Sequence, residues 1–383
     1  MSNNISLTNL TEIIYAARDQ VVAEGTGFIQ GAVTNGGING VSTGGTVTSL
    51  RTTKPTLLTS YTPAMVAPDA ADITTSTESL TINKVAGSQI PLKGEAFLQL
   101  ANTVGFDYAL RQMIAQAIRI VRNQIESDTA VALKNASSRA TGTAGTTPFA
   151  SNINTIAQVR QILKDNGAPV EDGNLSLVIN TAAGTNLRNI SNLYKANEAG
   201  TDATLRRGEL LNLHNFSIRE SAQVASHTKG TGTSYVLNGA IAVGDTNVPI
   251  KTGSGTVLAG DVITYASDST NKYIVKTGVS AAGTPVINYP GILVSGADGD
   301  AVTIGNSYTA NIAFHQSAVE IAMRPPALPP GGDMGDHTQV TDDKTGLSFD
   351  VGLYKGRGMN MIEIFCLYGV KVWKPEFVAT LLG

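Results

Sequence analysis

The chain has 383 residues, with 27 Lys and Arg against 30 Asp and Glu, four His and one Cys, enough for two or three domains. Charged residues are 15% of it and Gly accounts for 40 positions, where about 25% charge and about 7% Gly are usual, so the expected surface is unusually neutral and suited to close association. A hydrophobic content of 42% excludes a solvated disordered chain, and a formal charge of −3 excludes the basic footprint of a dedicated nucleic-acid reader. The lone Cys366 excludes an intrachain disulfide and any multi-thiolate metal site; inside MIEIFCLYGVKVW it reads as a small buried hydrophobe. The opening MSNNISLTNL has neither a basic nor an apolar leader region, and no apolar run reaches the roughly 18 residues of a membrane span. The expectation is a chain made and retained in a cytoplasm, with no membrane partner.

The first element is an amphipathic helix over 9–24, with Leu10, Ile13, Ile14, Ala17 and Val21 on one stripe, Asn9 as N-cap, Glu12 as its reciprocal partner and Gly25 as terminator. From Gly25 to about Ser60 the chain is mostly Gly, Thr and Asn, which reads as a flexible carrier, so the helix must dock on the body of this chain or on a neighbour. Short alternations around Leu80 and Ile82, then Ile90 and Leu92, interrupted at Gly87-Ser88, suggest an extended two-stranded excursion. From about 104 to 136 the period changes to helical, with Leu110, Met113, Ile114, Ala117, Ile118, Val121, Ile125, Thr129 and Leu133 recurring without an internal proline. A further helix over 153–166, a strand over 175–180, and helical segments around 183–198 and 204–211 indicate a mixed α/β body. Short β-rich runs separated by Gly, Asp and Ser turns then recur every 8 to 12 residues from Gly232 to about Thr309, which argues for a small closed β-barrel inserted in that body. The body resumes over 310–323, passes through the extended connector Arg324-Pro325-Pro326-Ala327-Leu328-Pro329-Pro330, and ends in β-patterned segments over 346–353 and 359–373.

The chemistry sought in this pattern is sparse. No dinucleotide fingerprint, phosphate-binding loop or hydrolase elbow occurs. His214, His227, His315 and His337 share no metal spacing and read as surface or satisfied structural imidazoles, and Asp298-Gly299-Asp300 and Asp342-Asp343 read as solvated turns, so no metal, cofactor or catalytic residue is assigned. Arg111, Arg119 and Arg122 lie on the polar side of the long helix, where a solvated or ion-paired face is favoured over weak phosphate contact. Arg206-Arg207 read as an intersubunit anchor, because guanidinium pairs bidentately with carboxylate.

The order of parts, carried by ADITTSTESLTINK at 71–84, VGFDYALRQMIAQAIRIVRNQIESD at 104–128, VLNGAIAVGDTNVPI at 236–250, GNSYTANIAFHQSAVEIAMRPPALPPGGDM at 305–334 and MIEIFCLYGVKVWKPEFVATLLG at 361–383, resembles the major capsid proteins of tailed bacteriophages. Within this Hong Kong 97 fold it looks most like podovirus coat proteins with an inserted β-barrel. The resemblance implies an α+β chain divided into an N-terminal arm (1–60), an E-loop with flanking strands (61–103), a spine helix (104–139), part of the A- and P-domains (140–231), the barrel (232–309) and the remaining core (310–383). It also implies a non-enzymatic subunit that self-assembles as pentamers and hexamers into an icosahedral shell in the virion. The implied partners are a separate scaffolding protein, a portal protein, and packaged double-stranded DNA held by weak non-specific contact. The implied assembly residues are Ile13, Ile14 and Val21 on the arm, Lys93 in the E-loop region and Arg206 and Arg207; Lys93 matches the region of a crosslinking Lys in some members, although coat proteins with the inserted barrel are not expected to crosslink. The rival readings are a ligand-binding protein whose barrel carries recognition, and an enzyme with an unrecognised site.

Overall fold

The computed structural model describes residues 7–22, 26–35, 45–52, 63, 75–95, 106–190, 212–330, 332–342 and 345–383. The first elements are helix α1 (Leu7–Val22), strands β1 (Val33–Asn35), β2 (Thr46–Thr52), β3 (Thr75–Thr81) and β4 (Lys84–Lys93), and the long helix α2 (Phe106–Ala136). There follow β5 (Arg139–Gly142), α3 (Asn154–Asp165), β6 (Leu175–Ile179), α4 (Thr181–Arg188), β7 (Phe216–Glu220) and β8 (Ser226–His227). Six short strands come next: β9 (Tyr235–Leu237), β10 (Ile250–Lys251), β11 (Val262–Tyr265), β12 (Asp268–Thr277), β13 (Val286–Ile287) and β14 (Ala301–Ile304). The chain closes with β15 (Tyr308–His315), β16 (Val319–Arg324), β17 (Gly335–Thr341), β18 (Ser348–Gly356), β19 (Met359–Val372) and β20 (Val378–Leu382). The fold is α+β, in agreement with the pattern of elements in the sequence.

Helix α2 is the axis of the molecule. Its 31 residues make a rod of about 46 Å, and Leu110, Ile114, Ala117, Ile118, Val121, Ile125 and Leu133 are buried along one stripe. Met113 belongs to the opposite, exposed face, with Ile120 and Val131. One sheet against this stripe has the order β1-β16-β19-β18-β17, and β4 pairs the free side of β19 from Met359 to Tyr368. A second sheet runs β5-β20-β15-β6-β7. Its strands alternate between two cores: Leu177, Ile179, Ala313, Ala379 and Leu381 meet Ile156, Val159, Leu163 and Leu187 of α3 and α4, while Val178, Ile312, Phe314, Val378 and Leu382 join the core of α1 and α2. Both faces are therefore covered, and the central strands β6, β15 and β20 are accordingly rich in apolar residues on both sides.

The stretch from Tyr235 to Val302 surrounds its own core, in which Tyr235, Tyr265, Tyr273, Leu237 and Val275 are buried. Its ladder runs β10-β9-β14-β11-β12-β13 and returns to its start through Ile250 N–H to Gly283 O (2.8 Å), Val248 N–H to Pro285 O (3.0 Å) and Ile287 N–H to Thr246 O (2.8 Å), so the barrel closes. It is also continuous with the body, because Lys272 and Tyr273 of β12 pair with Ala140 and Arg139 of β5.

Several expectations need correction. Strands β3 and β4 do not pair with each other: β3 pairs β2 to form a separate ribbon, and β4 pairs β19. Strand β4 also runs unbroken through Gly87-Ser88. Gly87 stands opposite Phe365, where an added Cβ would come within 2.9 Å of its ring, so this glycine admits an aromatic neighbour and does not end a strand. Asn9 lies inside α1, not at its cap, and Gly25 lies outside the described residues. The edge strand β17 has too few apolar positions to show alternation in the sequence. The helical segment expected around 183–198 is α4 (Thr181–Arg188) within the described residues; the one at 204–211 lies outside them.

Candidate functional site: the arm latched to the long helix

Helix α1 lays Leu10, Ile14, Ala17 and Val21 on α2, each at most 1% exposed. The docking is therefore on the chain's own body, which decides between the two expected sites. Arg122 donates through Nη1 to Val21 O at 2.7 Å, one of the C-terminal carbonyls that α1 itself leaves without an intrahelical donor, and its positive charge complements that end of the helix dipole. Eleven residues earlier on the same rod, Arg111 donates to Ala16 O at 3.1 Å. These two guanidinium groups hold the arm and do not face phosphate, contrary to the weaker of the two roles considered for them.

One turn beyond Arg122, Glu126 is 2% exposed and closes the latch. Its Oε1 accepts from Gly27 N–H and Phe28 N–H, each at 2.7 Å, and from Ser221 Oγ at 3.1 Å, while Oε2 accepts from Ile29 N–H at 3.0 Å. Three successive backbone donors converging on a carboxylate make an anion-binding nest. Burial lowers the Arg219 pKa, and the Glu126 charge partly offsets this. Gly27 is required at the rim because a Cβ would lie 2.6 Å from Val178 Cγ1. Phe28 then stacks on Phe314 with ring centroids 6.3 Å apart, and β1 adds in parallel to β16. The start of the supposed flexible carrier is thus pinned at 26–35: too few side chains are apolar to signal burial, but the backbone donors supply the anchorage.

The ribbon β2–β3 is rooted by Leu80 and Ile82, which are buried with Ala322 and Leu367, and by Glu78 at 3.8 Å from Lys371. Beyond this root it exposes Thr46, Thr48, Thr77 and Ser79. Asp128 of α2 accepts from Tyr368 Oη of β19 at 2.5 Å and pairs with Lys84 of β4 at 3.0 Å. Burial pushes the Asp128 pKa upward, but the hydrogen bonds from Tyr368 and Lys84 outweigh it and hold the carboxyl below its usual value.

Of the residues expected to face neighbours, Ile14 and Val21 are buried in this chain's own core and Ile13 is half-buried beside it; within the described fold they are intrachain contacts, which corrects their assignment as free assembly residues. Lys93 is exposed at the end of β4, and Arg206 and Arg207 lie outside the described residues. Three histidines are held by aspartates: His227 by Asp261 at 2.8 Å, His315 by Asp172 at 2.7 Å, and His337 by both Asp350 and Asp333. Cys366 is buried and its thiol is pushed up to about 12 by burial. Asp298 and Asp300 accept from turn backbone at Gly239 and Ala297, but Asp342 is buried with Thr345 and is not a solvated turn residue. A cleft of about 360 Å³ between the ribbon root, the end of α2 and the barrel contains Glu78, Lys276, Lys371 and Trp373, with no histidine or cysteine in its lining. Among the described residues no group of His, Cys, Asp and Glu is placed to hold a metal ion, and no helix is long and apolar enough to cross a membrane.

No family model matches the chain, and no curated protein matches it. Among solved structures it is similar to the capsid structure of the cyanophage P-SCSP1u, at 12% identity over 94% of this chain and 88% of that one with a TM-score of 0.49. It is similar to a structure of Mycobacterium phage Che8 at 17% identity, covering 88% and 84% of the two chains with a TM-score of 0.48. The capsid of the myovirus phage XM1 is similar at 13% identity, covering 94% and 92%, with a TM-score of 0.44.

Proposed function

We propose that this chain is the repeated, non-enzymatic subunit of an icosahedral phage shell, located in the virion. The observation that carries this reading is the placing of a two-stranded ribbon on a long-helix body: β2 and β3 pair along seven residues, from Thr46 opposite Thr81 to Thr52 opposite Thr75, and the apolar anchorage seen among the described side chains is at the root. Two strands are marginal alone in water, and a ribbon of this kind gains stability by lying on another subunit. A neutral surface permits many such contacts, each weak, that closure of a shell multiplies. Pentamers and hexamers, a scaffolding protein, a portal protein and weakly held double-stranded DNA are the partners this reading entails.

The ligand-binding alternative is disfavoured by the barrel interior, which Tyr235, Tyr265 and Tyr273 fill at no more than 2% exposure, leaving side chains where a ligand would sit. Sedimentation and negative-stain electron microscopy of the purified chain, alone and co-expressed with the neighbouring genes of its source genome, test the proposal. Uniform closed shells support it; a persistent monomer under both conditions overturns it.

A further inference from the structure

The proline connector joins β16, which pairs the Val372–Leu367 part of β19, to β17, which lies on the far side of β18. Its far end carries Asp333, which accepts from Gly335 N–H at 2.9 Å and from Tyr354 Oη at 3.2 Å. Asp333 also meets His337 Nε2 at 3.0 Å, while the other ring nitrogen of His337, Nδ1, lies 2.8 Å from Asp350 Oδ2 on β18. Ionised carboxylates only accept, so both contacts are hydrogen bonds only when the ring is an imidazolium with two N–H groups. In a neutral ring one nitrogen presents a lone pair to a carboxylate, and one contact turns repulsive. Asp350 sits in β-register opposite Gln339 and is 8% exposed, whereas Met334, next to Asp333, is 85% exposed. The connector side of the pin is therefore the exposed one.

We propose that His337 is a charge-dependent pin that ties the end of the proline connector, through Asp333, to Asp350 of the sheet, and that losing the ring proton releases the connector. The groups facing the pin are Asp333 from the connector, Asp350 and Tyr354 from β18, and Glu363 from β19, which is itself bonded to Gln89 of β4; Lys355 is engaged by Asp336 at 3.0 Å. Burial disfavours the imidazolium, but the bonds to Asp350 and Asp333 outweigh it and raise the His337 pKa. The Asp333 carboxyl is held down, chiefly by Gly335 N–H and then, against slight desolvation, by His337 and Tyr354. Burial pushes Asp350 up despite His337, and burial with Asp333 pushes Tyr354 up to about 12, so Tyr354 remains a donor throughout. A raised histidine pKa contributes stability that is complete below its ordinary value of about 6.5 and is lost as pH rises through the folded value. Release therefore comes as pH rises above the ordinary histidine value, and on the acid side the pin is limited first by Asp350, whose pKa is raised where that of Asp333 is lowered.

Hydrogen–deuterium exchange of the full chain, corrected for the intrinsic pH dependence of exchange, reads the amides of Ala327, Leu328, Met334 and Gly335. Protection should fall about tenfold between about pH 6 and about pH 9, the size of one partly screened charge-assisted hydrogen bond, and H337Q and D333N should show the low value at every pH. A flat wild-type profile, or wild-type protection in H337Q at the acid end, overturns the pin. If neither variant folds, the wild-type protein decides alone: titration of the His337 ring followed by NMR must coincide with the loss of protection, and ring titration without that loss overturns the proposal.

Discussion

Replacing Glu126 tests the latch most directly. In E126A the N–H groups of Gly27, Phe28 and Ile29 and the hydroxyl of Ser221 lose their acceptor at a site that is 2% exposed. The serine hydroxyl can rotate, but the three amides are fixed by the backbone, and about 1 to 1.5 kcal/mol for each stranded donor gives a loss of about 3 to 4.5 kcal/mol. E126Q keeps the shape and one acceptor. With its oxygen toward Gly27 and Phe28, its amide faces Ile29 N–H, so one donor conflict remains and the expected loss is about 1 to 2 kcal/mol. Urea unfolding of the purified chain measures the order wild type, Gln, Ala, and hydrogen exchange should show α1 and residues 26–35 losing protection before the barrel does. If both variants unfold within about 0.5 kcal/mol of wild type, or if α1 keeps its protection in E126A, the latch does not hold the arm.

G27A should destabilise by about 1 to 3 kcal/mol through overpacking, seen as a lower unfolding midpoint, because the new methyl meets Val178 Cγ1 at 2.6 Å and Ser221 Cβ at 2.9 Å. Y273F should cost about 1 to 3 kcal/mol, read as faster exchange confined to 235–302, since Leu293 N–H loses its acceptor and Asp268 loses one of its donors while keeping Asn271. The depressed Asp128 pKa contributes stability that is present above the ordinary carboxylate value and is lost as pH falls through the folded one; acid unfolding of D128N should therefore lack a component below about pH 4 that the wild type shows. Cys366 should resist a thiol reagent in the folded chain and react at the rate of unfolding, because it is buried and its thiolate is disfavoured.

Elements whose own side chains carry a period are legible in the amino-acid sequence. The stripe Leu110–Ile114–Ala117–Val121–Ile125 specifies α2, the stripe Leu10–Ile14–Ala17–Val21 specifies α1, and the evenly spaced turn residues between 232 and 309 specify the barrel, because local periodicity and turn chemistry act within a few residues. The tertiary structure alone decided which partners these elements take. Strand β3 pairs with a segment some thirty residues before it and β4 with one nearly three hundred after it, pairings that backbone hydrogen bonds make without a residue-type signature. The latch is hidden for the same reason. Glu126 in sequence is one carboxylate on a helix, and it becomes an anchor only because Gly27, Phe28 and Ile29 turn three backbone donors toward it across about a hundred residues of chain. Sequence determined the helices, the barrel and the apolar faces; long-range backbone pairing and the burial of a single charge determined how the arm, the ribbon and the proline connector are fastened to them.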